Sequence, residues 1–166
     1  MFKTVISAAV LGALLLVGSN ASADDKDEVL EAIANAQEVA FFSLSPADPK
    51  RYPEGTCVGD CYLGWPSLGH TPLAGKPRQT VLEHLNTWAK VPQPPAIAGC
   101  FSPRHGVSFQ AMGHVYDFIV CYECGSAQVR KDSAYLATLF SPTSSDQFEK
   151  EWDAILSSHN LPLAED

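Results

Sequence analysis

Basic side chains are scarce in this sequence. Its 11 Lys and Arg residues stand against 19 Asp and Glu, a formal net charge of −8. A negative surface repels phosphate backbones and anionic membranes, so nucleic acid is set aside as a partner. Long apolar runs are missing after the first residues, and no later segment is expected to insert stably in a bilayer. There is no internal repeat and no low-complexity segment, so neither a repeat array nor a biased linker is expected. No two histidines show a His-x3-His metal spacing. His70, His84, His114 and His159 are scattered and read as surface or capping residues. Cysteine-hydrolase signatures are absent as well.

What is present begins with an export leader. Lys3 supplies a short positive segment, and a weakly polar to apolar stretch runs from Val5 to Val17 around Leu14, Leu15 and Leu16. Small residues at Ala21 and Ala23 then match the pattern that signal peptidase reads. Residues 1–23 are therefore expected to be a cleaved signal peptide, with a periplasmic or secreted product. No cysteine follows the apolar run, so no lipid attachment is expected. Residues 24–166 have the size of one ordinary domain.

The mature part alternates helical and extended patterns. Asp24 to Glu38 has acidic residues in its first turn, where they complement the helix dipole, and Val29, Leu30 and Ile33 at helical spacing. Val39 to Leu44 reads as a short strand. The stretch from Pro46 to Gly64 is loop-like, and Trp65 to Leu73 contains a further extended piece. Pro77 to Lys90 predicts a helix with Val81, Leu82, Leu85, Trp88 and Ala89 on one stripe. It stops before the stiff Pro92–Pro95 connector. Val107, Phe109 and Ala111 alternate with polar neighbours, Met112-Gly113-His114 supplies a hairpin turn, and Val115 to Tyr122 is rich in β-branched and aromatic residues. Ala127–Lys131 and Tyr135–Phe140 predict two more strands, turned at Asp132-Ser133. Ser144 opens a capping box before a last helix carrying Phe148, Trp152, Ile155 and Leu156. The expectation is a single α+β domain: an antiparallel sheet of about four strands with helices packed on one face. Within it, Asp117 is expected on the solvent face, opposite Phe118.

The five cysteines, Cys57, Cys61, Cys100, Cys121 and Cys124, all lie in the mature part. In an exported chain they default to disulfides, but an odd count leaves at least one thiol over. A hairpin turned at Gly113 brings Cys100 and His105 toward Cys121 and Cys124 at its open end. Three arrangements follow. One is a structural disulfide from Cys100 to Cys121 or Cys124, with Cys57–Cys61 as a second bridge. Another is a closed Cys3His zinc site on Cys100, His105, Cys121 and Cys124, which would stabilise the fold rather than catalyse. The third is thiol redox chemistry, or cysteine-dependent catalysis, by Cys121 and Cys124. Arg104 is a candidate contact for an anionic ligand group. The resulting expectation is a small, disulfide-stabilised exported protein, non-enzymatic, binding an unidentified protein or small molecule. A zinc protein and a thiol enzyme are its alternatives.

Cys100-Phe-Ser-Pro-Arg-His-Gly-Val107, followed by Asp117-Phe-Ile-Val-Cys-Tyr-Glu-Cys124, resembles a pattern in small exported bacterial proteins of unassigned activity. Ser43-Leu-Ser-Pro46 and Gly64-Trp-Pro-Ser-Leu68-Gly69 belong to the same resemblance, which covers roughly Phe41 to Pro162, the size of one domain. It implies no functional residues, and the Cys57–Cys61 pair is extra to it.

Overall fold

A computed structural model describes residues 23–46, 57, 59–95, 100–142 and 145–164. Residues 1–22 of the expected 1–23 leader and the expected capping residue Ser144 lie outside the described residues; Ala23, the last residue of that leader, is the first of a helix.

Among the described residues, seven strands form one antiparallel sheet. They are β1 (Gln37–Leu44), β2 (Cys61–Tyr62), β3 (Trp65–Pro72), β4 (His105–Ala111), β5 (His114–Cys121), β6 (Ser126–Lys131) and β7 (Ala134–Phe140). Their order is β2-β3-β1-β4-β5-β6-β7, and the sheet curls into a half-barrel. The helices are α1 (Ala23–Ala34), α2 (Gly75–Ala89) and α3 (Ser145–Ser158). This corrects the expectation of a sheet of about four strands: the described residues form a β-rich single domain built on seven strands. The difference comes from β1, which pairs with β3 on one side and β4 on the other. Those partners are distant in sequence, so the local pattern of β1 carries no sign of them.

Turn chemistry sets the hairpin registers. Met112 and Gly113 both take positive φ, as do Asp132 and Ser133. Two consecutive left-handed residues make the turn whose twist matches paired strands. Alternation along each strand then builds the core. Phe41, Val107, Phe118, Val129 and Ala137 face one another across β1, β4, β5, β6 and β7. All five are fully buried. Burying a side chain of the Val or Phe kind contributes about 1.5–3 kcal/mol, which makes this row a main source of sheet stability. Val29 and Ile33 of α1, Val81, Leu85 and Trp88 of α2, and Trp152 and Leu156 of α3 share that core. Trp152 meets Phe41 edge-on with ring centroids 5.1 Å apart.

A smaller cluster forms on the opposite face from Leu44, Tyr62 and Ile119, with Phe42, Leu63, Trp65 and Phe101 packed around it. Leu63 and Gly64 turn the chain so that Tyr62 lies back over the sheet. Its hydroxyl shares its one proton between the Val107 carbonyl, at 2.7 Å, and Asp117 Oδ1, at 3.0 Å. Asp117 is therefore not at the solvent face as expected: it is buried beneath Tyr62. No helix among the described residues is long and apolar enough to cross a membrane.

Candidate functional site

The chain passes from β5 into β6 through Cys121, Tyr122, Glu123, Cys124 and Gly125. Gly125 takes φ 60° and donates its N–H to the Tyr122 carbonyl at 2.9 Å. This tight turn brings Cys121 and Cys124 to a Cα separation of 5.3 Å, and the two form a disulfide. Cys57 and Cys61 form the second, at 6.1 Å. The latter pairing matches the expected second bridge. The expected bond from Cys100 to Cys121 or Cys124 is not made. Cys100 is the free and exposed cysteine.

Cys100 is nevertheless part of the same sulfur group. Residues 100–104 continue the line of β4 beside the end of β5, where the Arg104 N–H donates to the Val120 carbonyl at 3.2 Å. That path sets Cys100 Sγ 3.3 Å from Cys124 Sγ. Two backbone donors point at the third sulfur: the Ser102 N–H at 3.4 Å and the Cys124 N–H at 3.1 Å from Cys121 Sγ. Cys121 is fully buried and Cys124 nearly so.

His105 does not join the sulfurs. In the β4–β5 register it stands opposite Val120, so it shares the helix-facing side with Val120, while Cys121, one residue on, points to the other side. His105 stacks on Phe41 and meets Tyr122 and Trp152 edge-on. Its Nε2 lies 2.9 Å from Asp153 Oδ1 on α3. Among the described residues, no group of three or more His, Cys, Asp or Glu side chains is arranged to hold a metal ion. The four residues expected as zinc ligands thus divide into a three-sulfur group and a histidine committed to α3.

A polar cavity of about 310 Å3 opens on the helix-facing side, lined by Ser43, Arg104, His105, Glu123, Glu149 and Asp153 among others. Glu123 belongs to the Cys121–Cys124 turn, so the sulfur group and the cavity share a wall. Burial raises the Glu149 carboxyl above its usual range, and Asp153 adds to this while His105 and Arg104 oppose it. His105 Nδ1 and the Tyr122 hydroxyl are buried without a hydrogen-bond partner among the described residues. Arg104, the expected anion contact, has Nη2 3.5 Å from Glu123 Oε1 and donates from Nη1 to the Ala164 carbonyl at 3.4 Å. With three carboxylates around it, this cavity does not favour an anion.

Sequence reasoning missed Glu149 and Asp153, which lie one helical turn apart on α3 and reach the site only because α3 packs over β1 and β4. It also read His84 as a surface or capping residue. His84 is buried, stacks on Phe148, and accepts a hydrogen bond from Trp152 Nε1 at 2.8 Å. One signal for the position of His105 was in the sequence. A two-residue turn at Met112-Gly113 sets residue 105 opposite 120, and that parity puts His105 and Cys121 on different faces.

Comparison with known proteins adds no relative: no family model, no curated protein and no solved structure matches the chain.

Proposed function

We propose that this chain is an exported protein that performs thiol–disulfide exchange at Cys100, Cys121 and Cys124. One observation carries the reading: a free, exposed thiol in contact with a disulfide sulfur at 3.3 Å. Such exchange proceeds by attack of a thiolate on a disulfide sulfur, and productive attack geometries hold the reacting atoms about 3–3.5 Å apart. Export is supported by the leader pattern at Lys3 to Ala23 and by two disulfides, which persist in oxidising compartments. Kinship with the small exported bacterial proteins that share the Cys100–Val107 and Asp117–Cys124 patterns belongs to the same proposal.

The test is incubation of the folded protein with an excess of a synthetic peptide carrying two cysteines, followed by acid quench and mass measurement of both chains. Expected is a peptide disulfide together with two new thiols on the protein. A protein that keeps all its disulfides while the peptide stays reduced refutes the reading.

A second reading, a disulfide-stabilised binding or envelope-associated module, is favoured by the polar cavity beside Arg104, His105, Glu149 and Asp153. Its donor and acceptor set suits a small polar ligand with hydrogen-bond donors, because carboxylates only accept when ionised. Saturable binding that survives alkylation of Cys100 and is lost on Asp153→Ala would favour this reading over exchange.

A further inference from the structure

We infer that the exchange runs as a relay, in which Cys100 carries the oxidising equivalents of the buried pair to a dithiol substrate and Cys121 is the first leaving group. This rests on the exchange function proposed above and adds its route and its substrate class.

Accessibility gives the first argument. Cys121 has no exposed surface, and Cys124 is 8% exposed. An external thiol must approach a disulfide sulfur directly to attack it, and neither buried sulfur offers such an approach. Cys100 is exposed on one side and touches Cys124 on the other. It is the only sulfur of the three placed to meet both the buried pair and a substrate.

Leaving-group chemistry gives the second argument and fixes the direction. Attack by Cys100 on Cys124 expels Cys121. A thiol of lower pKa leaves faster, and hydrogen bonds to the charged form lower the pKa. The Ser102 and Cys124 N–H groups already point at Cys121 Sγ, at 3.4 and 3.1 Å. They are in place before any charge develops there, so the developing thiolate is stabilised without reorganisation.

The steps balance without an outside oxidant. The Cys100 thiol gives its proton to solvent, and the thiolate attacks Cys124 Sγ. The Cys100–Cys124 bond forms, the Cys121–Cys124 bond breaks, and the electron pair passes to Cys121 Sγ, which the two N–H groups hold until it takes a proton. No net oxidation has yet occurred. A substrate thiolate then attacks Cys100 Sγ, Cys124 leaves and is protonated, and a mixed disulfide joins substrate and Cys100. The second thiol of the substrate attacks its partner sulfur and expels Cys100. The substrate has lost two electrons and two protons as it closes its disulfide. The protein has gained them as the Cys121 and Cys124 thiols. The substrate class is therefore a dithiol flexible enough for its second thiol to reach the first, such as an unfolded or extended peptide with two nearby cysteines.

The experiment compares four purified forms, wild type, Cys100→Ser, Cys100→Ala and Cys121→Ser, each mixed with the same two-cysteine peptide, quenched in acid at intervals, alkylated and mapped. Two results are expected. The Cys100 variants keep the Cys121–Cys124 disulfide and oxidise the peptide at least about 100-fold more slowly than wild type. Cys121→Ser, which holds the Cys100–Cys124 bond already formed, gives a mixed disulfide mapped to Cys100 without delay. Cys100 variants that match the wild-type rate overturn the relay while leaving exchange intact, since the peptide then attacks the buried pair directly. So does a mixed disulfide mapped to Cys121 or Cys124; a Cys121→Ser protein that reacts while wild type does not overturns the exchange function of the native protein as well. A peptide left reduced by every form overturns the exchange function itself.

Discussion

Replacing Gly106 by alanine should destabilise the protein through Tyr62, although glycine inside a strand is ordinarily the weaker choice. A methyl group built on Gly106 would sit 2.5 Å from Cε1 and 2.7 Å from Cδ1 of the Tyr62 ring, and 3.3 Å from Phe42 Cβ. The ring cannot slide aside cheaply. It stacks on Phe42 with centroids 4.0 Å apart, and its hydroxyl is tied to Val107 O and Asp117 Oδ1. Overpacking of this kind costs about 1–3 kcal/mol. If the ring is pushed off, the bond to the Asp117 carboxylate goes too, and hydrogen bonds to charged groups are worth about 1.5–3 kcal/mol. Against this, Gly→Ala in a strand gains about 0.5–1 kcal/mol of backbone entropy. The net expectation is a loss of about 2–4 kcal/mol, or a fall of roughly 1–2 M in the urea midpoint for a slope of about 2 kcal/mol/M. Tryptophan fluorescence during urea unfolding reads it directly. The control is the same substitution in a Tyr62→Ala background, where it should be neutral to within about 0.5 kcal/mol. A Gly106→Ala protein as stable as wild type, or an equal loss with and without Tyr62, refutes the argument.

Two further outcomes follow from the side-chain environments. Burial holds the His84 imidazole below its ordinary value of 6.5. Protonating Nδ1 would also set an N–H against the Trp152 Nε1 donor. The unfolded chain takes up this proton first as pH falls, so the contribution of His84 is complete above 6.5 and is lost as pH falls through the lower folded value. Urea midpoints measured on both sides of that value should fall on the acid side in wild type and fall less in His84→Gln; equal pH slopes in the two proteins would count against it. Cutting the Cys57–Cys61 bridge by a Cys57→Ser/Cys61→Ser double substitution frees a short loop, for which chain entropy gives a loss of about 2 kcal/mol. The same urea titration checks this, and an unchanged midpoint would mean that the bridge does not constrain the unfolded chain.

The sequence by itself determined the local pieces, and for a local reason. Turns at Met112-Gly113 and Asp132-Ser133, alternation along β4 to β7, and the apolar stripes of α2 and α3 depend on neighbours a few residues away, so they could be read along the chain. So could the Cys57–Cys61 pairing, at a separation of four residues. The number of strands in the sheet was not local. β1 finds its partners 66 and 28 residues away, Phe41 opposite Val107 in β4 and Phe42 opposite His70 in β3, and only packing over a shared core selects them. The same holds for the site. A hairpin at Gly113 foretold that Cys100, His105, Cys121 and Cys124 lie at one end of the sheet. The tertiary structure then separated them: strand parity turns His105 toward α3 and Asp153, and the tight turn at Gly125 joins Cys121 to Cys124. Cys100 is left as a free thiol against their disulfide, because a two-residue gap within one turn closes a sulfur pair more readily than a contact between separate segments.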